Sequence, residues 1–172
     1  MTVKKILTEP NVLLRQISKP VEKVQKSDQN LMDDMLETMY DANGIGLAAI
    51  QIGIPKRIIV MDIGKDKNIK EPMYFVNPII KQKNLEKSTY EEGCLSVPEQ
   101  FAEIERPSAC EVEYLDYYGN PKLLKAEGLL STCIQHEMDH LEGILFIDYL
   151  SKLKKSMIVK KLSKSKLDRI IV

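Results

Sequence analysis

The sequence lacks net charge. Its 25 Lys and Arg balance 25 Asp and Glu, which argues against bulk nucleic-acid binding as the main task. It also lacks any apolar run near the roughly 20 residues of a membrane helix. Its first ten residues carry neither the apolar stretch of a signal peptide nor the Arg-rich pattern of a transit peptide. A cytoplasmic location without a membrane partner is therefore expected. Cysteine is sparse and scattered at Cys94, Cys110 and Cys133. That set excludes a disulfide framework and leaves packing, metal ligation or a reactive thiol. What is present is a soluble composition, 44% apolar and 29% charged over 172 residues, enough chain for one domain with a real core.

The first 25 residues, broken by Pro10 and Pro20, read as irregular. Ser27 is placed to cap a helix over 28–42, where Leu31, Met32, Met35, Leu36 and Met39 recur on one core-facing side before Asn43-Gly44 ends it. Apolar runs at 57–63 and 73–77 read as strands, the second stopping at Pro78, with a weaker strand over 84–90. Alternation over 110–118 gives a half-buried strand, and Gly119-Asn120-Pro121 turns it into a shorter one at 122–125. Helices follow over 127–142, stopped by Gly143, and over 152–168. The class is α+β: mixed and antiparallel strands packed around a central helix, with a C-terminal helix.

Both histidines of the chain lie in His136-Glu137-Met138-Asp139-His140. On a helix, positions i and i+4 share a face, so both imidazoles reach one ion, and Glu137 lies where it can take a proton from water. An open catalytic site needs a third protein ligand. Phe146 occupies the position where one class of such enzymes carries a third His, and no Glu follows Glu142. The third ligand is then an upstream carboxylate, Asp148, Asp168 or a cysteine. Cys110 reads as core, and Cys133, one turn before His136, sits too close to complete an open site. Elimination points to Cys94, in the loop-like stretch 91–98 flanked by Gly93 and Pro98. The stretch Gly44-Ile-Gly-Leu-Ala-Ala-Ile-Gln51 matches a dinucleotide fingerprint only weakly, because it follows a helix and not a strand. Taken alone it reads as a helix end and bend.

Together, Gly44–Gln51, Glu92-Gly-Cys-Leu-Ser96 and Gln135–His140 resemble, in order and spacing, the three signature motifs of the bacterial peptide deformylases. The resemblance spans roughly residues 1–150. It implies an α+β hydrolase that removes the formyl group from the formyl-methionine of new polypeptides. It also implies one divalent metal ion, ferrous iron in the native state, with zinc, nickel or cobalt as substitutes. At matching positions it makes Cys94, His136 and His140 the metal ligands and Glu137 the general acid/base. The Gln51 amide and the Leu95 N–H would form an oxyanion hole, and the Gly46 backbone would pair with the peptide. Ile45, Leu129, Cys133 and the stem of Glu92 would line the methionine pocket. One departure is visible: many members carry Arg where this chain has Phe101, which leaves the chemistry untouched and leaves open how the peptide beyond methionine is held. The rivals are a metallopeptidase of the same His-Glu-x-x-His type and a structural metal module.

Residues 151–172 hold seven Lys and one Arg against Asp168, a balance of +7, so 1–150 carries −7. Two organisations fit. Either 151–172 is a basic segment appended to a 1–150 catalytic domain and docks on the ribosome, or Leu153, Met157, Val159 and Leu162 anchor an ordinary surface helix.

Overall fold

The computed structural model describes residues 1–64 and 69–170. Among the described residues, three α-helices and seven strands follow one another as α1 (Lys26–Asp41), β1 (Gly46–Ala48), β2 (Ile58–Met61), β3 (Met73–Lys83), β4 (Lys87–Cys94), β5 (Val97–Pro107), β6 (Ala109–Leu115), β7 (Pro121–Glu127), α2 (Gly128–Leu141) and α3 (Lys152–Ile170). Strands β1-β2-β3-β6-β7 form one sheet in that order, antiparallel throughout, and β4-β5 form a separate hairpin. The α+β class with a central His-Glu-x-x-His helix is what the residues predicted.

The apolar run of β2 is buried on every residue because helices cover both faces of its sheet. Ile59 and Met61 pack with Phe75, Val112 and Ile134 on the α2 side, while Ile58 and Val60 meet Met32, Met35 and Met39 of α1 on the other. Helix α2 lies against β1, β2 and the strands β4 to β7, so most of its residues are buried.

Four expectations are corrected. Ser27 does not cap α1; the Asp28 carboxylate accepts the Gln25 N–H at 3.0 Å, an acid at the positive end of the helix. Strand β3 does not stop at Pro78 but runs on to Lys83. The pairing register slips between Val76 and Ile79, and Asn77 takes φ 51°, so a bulge accommodates the proline's missing donor. The stretch 91–98 is a strand end and tight turn, with Cys94 pairing with Val97, and β5 is a strand that the sequence reading missed. Finally, Leu153 and Met157 do not anchor α3, being 72% and 62% exposed. Val159 and Leu162 do turn inward as expected, joined by Ile158, packing with Val97, Ile104, Phe146 and Ile147 in a cluster that Cys94 borders.

Candidate metal centre

The helical period of α2 aims Cys133, His136, Glu137 and His140 at one side, toward the hairpin. The two imidazole rings stand 5.1 Å apart at 74°. The β4–β5 turn brings in Cys94, whose Sγ lies 3.3 Å from His140 Nε2. One donor atom from each of Cys94, His136 and His140 falls within 4.8 Å of the other two. Donors of a single small cation sit roughly 3–4 Å apart, so the three fit one ion. Glu137 strengthens the fit: it is 5% exposed, and its Oε2 is buried with no protein partner among the described residues. Burial pushes its carboxyl up to about 7.

Behind the cradle lies a network that sets its orientation. His136 Nδ1–H donates to Glu92 Oε2 at 2.9 Å, leaving Nε2 for the ion. Arg106 holds the same carboxylate with two bonds, of 2.6 and 3.0 Å, and donates to Asp139 at 2.8 Å. Tyr149 donates to Asp139 at 2.8 Å and lays its ring 5.0 Å from the guanidinium. Burial works against the charge of Glu92, but His136 and Arg106 outweigh it and hold its pKa below the ordinary value. Sequence reasoning missed Arg106, Asp139 and Tyr149. The alternation of Glu103 and Glu105 around Ile104 was the available signal, because it puts Arg106 on the inward face of a strand.

Gln51 is fixed by its own backbone turn. Its Oε1 accepts the Ala48 N–H at 2.9 Å, which points Nε2 toward Ser96 Oγ (3.0 Å) and Cys94 Sγ (3.6 Å). Gly46, in a stretch that reads alone as a helix end and bend, is a point of close approach: a Cβ there would run into the Glu137 carboxylate. A cleft of about 460 Å³ opens from these groups, lined by Ile45, Gly46, Gln51, Glu92, Leu95, Leu129, Cys133 and Phe101 among others. Glu92 contributes only its stem, since its carboxylate turns inward. Burial pushes the Cys133 thiol up to about 12, so that wall stays neutral. Of the other ligand candidates, Cys110 is core beside Ser131 Oγ, and Asp148 is engaged by Arg15 and Lys155. The Asp168 side chain lies outside the described residues.

A Cys-His-His cradle with a buried acid beside it, opening on an apolar cleft, is the constellation of a metal-dependent hydrolase. Comparison with known proteins narrows the class. Residues 3–156 match the family described as polypeptide deformylase. A peptide deformylase of Pelagibacter ubique is 77% identical over the full length of both chains. One of Rhizobium meliloti is 54% identical, covering 96% of this chain and 95% of that one. The crystal structure of the Ehrlichia chaffeensis peptide deformylase superposes with TM-score 0.91 at 42% identity, covering 96% and 97% of the two chains. The chain belongs to the polypeptide deformylase family. It is a hydrolase that removes the N-formyl group of nascent formylated polypeptides with the help of a divalent metal ion, which sets the metallopeptidase and structural-module readings aside.

Proposed function

We propose that Cys94, His136 and His140 hold the ion and that Glu137 moves the proton. The observation that carries this is the meeting of the hairpin turn and the α2 face at one cluster of three donors. One soft thiolate with two imidazoles suits ferrous iron as the native metal, with zinc, nickel and cobalt as substitutes. When bound, a divalent ion lowers the pKa of water at the site and polarises a carbonyl oxygen.

The residues of the chain do the rest. Glu137 Oε2 takes the proton of the attacking water and later returns it to the leaving amine nitrogen. A C–O bond forms at the formyl carbon, the C–N bond breaks, and formate leaves. Gln51 Nε2 and the Leu95 N–H donate to the oxygen on which charge develops. The Gly46 backbone pairs with the peptide, and Ile45, Leu129, Cys133 and the Glu92 stem take the methionine side chain. Substituting Gln51→Ala should lower kcat by about 10²–10³, as loss of one oxyanion donor does, with metal content unchanged. Formate release from formyl-Met-Ala-Ser and elemental analysis of the same preparation check this; undiminished kcat would remove Gln51 from the site.

We assign the reaction to the cytoplasm because formylated chains are made there. We further propose that residues 1–150 carry the chemistry and that 151–172 meets the ribosome. Lys152, Lys160 and Lys164 are exposed, a source of phosphate contacts without sequence readout. Leu162 packs beside Phe146, so truncation would strip core, and reversal of exposed charge is the cleaner test. The variant Lys160→Glu with Lys164→Glu should lose ribosome co-sedimentation while hydrolysing short peptides normally. Binding by the unsubstituted protein should weaken with salt, with a log–log slope of about −0.7 to −0.9 per neutralised phosphate. Salt-insensitive binding would make these lysines a solvated face.

A further inference from the structure

Phe101 stands where two concavities meet. On one side its ring covers Gly93, where a Cβ would lie 2.5 Å from Phe101 Cε1, and it lines the catalytic cleft. On the other it lines a groove between β5 and α3 of about 630 Å³, with Leu150, Met157 and Ile158 as floor and Lys154 and Lys161 as basic rim, opposed by Glu103. Phe101 and Met157 are 65% and 62% exposed. Lys154, Met157, Ile158 and Lys161 recur at helical spacing, so one face of α3 faces this groove.

We infer that this groove takes the downstream part of the substrate, the residues shortly beyond the formyl-methionine end, and selects apolar side chains interspersed with acidic ones. The inference rests on the cleft being the formyl-methionine site, as proposed above. Continuity carries it: Phe101 lines both the cleft and the groove, so a chain leaving the cleft over Phe101 meets the groove next. The seven residue steps from Lys154 to Lys161 span about 10 Å of helix, the length of roughly three extended residues. Charge complementarity sets the class, because two lysines face one glutamate around an apolar floor. A nucleic-acid backbone would leave that floor unused, whereas Lys160 and Lys164 offer charge without one.

The test compares kcat/KM for formyl-Met-Ala-Ser with two six-residue peptides that extend it by Leu-Glu-Leu or by Leu-Lys-Leu. The Leu-Glu-Leu peptide should be preferred over the Leu-Lys-Leu peptide by about tenfold, mainly through KM, as expected of two solvent-exposed charge pairs. Lys154→Glu with Lys161→Glu should reverse that preference and leave the three-residue peptide within about twofold. Both lysines are exposed, so the variant keeps its fold, and an unchanged thermal midpoint confirms it. In the Met157→Ser variant both long peptides should lose about threefold relative to the short one. Equal kcat/KM for the two long peptides would overturn the inference. So would a double variant that loses only ribosome co-sedimentation, since its lysines would then serve RNA. Failure of the unsubstituted protein to release formate from formyl-Met-Ala-Ser would overturn the deformylase site and this groove together.

Discussion

Glu137→Gln protein is expected to bind its metal normally and to lose about 10²–10⁴ in kcat, the range of general acid/base work. The substitution keeps shape and removes only the ability to carry a proton. Its environment explains why no other group takes over. Glu137 is enclosed between Gly46 and the α2 face, and its Oε2 has no protein partner among the described residues. Burial holds its carboxyl near 7, where a group both accepts and returns a proton readily. The amide of Gln can do neither. Steady-state formate release, read beside metal stoichiometry, decides the matter. Near-normal turnover would show that another residue handles the proton, and metal loss would show that Glu137 is itself a ligand.

Cys94→Ala should abolish stoichiometric metal. The thiolate is the single anionic donor of the three and the one contribution from outside α2, so its removal leaves two imidazoles on one helix. Such a pair has no third direction from which to enclose an ion. Elemental analysis after dialysis should find far less than one equivalent in this variant and a full equivalent in Cys110→Ala, whose side chain sits in the core beside Ser131. Full metal retention in Cys94→Ala would sink the assignment.

The two histidines were legible because a helix converts spacing directly into geometry: four residues apart is one face. Cys94 was legible by elimination, though not the turn that delivers it. Arg106 and its partners were not, because what brings them to His136 is pairing between β4 and β5. Glu92 and Arg106 are 14 positions apart, and no local period connects them. The acidic residues of β5, together with Pro98, disguised a strand whose inward face carries a buried cation where an apolar residue is expected. Strand β3 was cut short for a related reason: Pro78 forbids a regular ladder, but the bulge at Asn77 depends on a neighbouring strand and on Val21, which the Asn77 side chain grips through both N–H and C=O. Local chemistry singled out the three donors that the fold brings together, and long-range register supplies what orients them.

The packing of α3 on the hairpin also imposes an order on the protein's own synthesis. Chains are made from the N-terminus, so the Cys94 turn emerges first and His136 and His140 follow more than 40 residues later. The cluster that backs Cys94 is closed last, by Leu162. A chain that ends before Leu162 would carry all three candidate ligands while Val97 and Phe146 lack part of their packing. A metal ion captured at that stage would meet a less shielded site, where a thiolate is more open to oxidation. Docking of α3 thus finishes the packing behind Cys94.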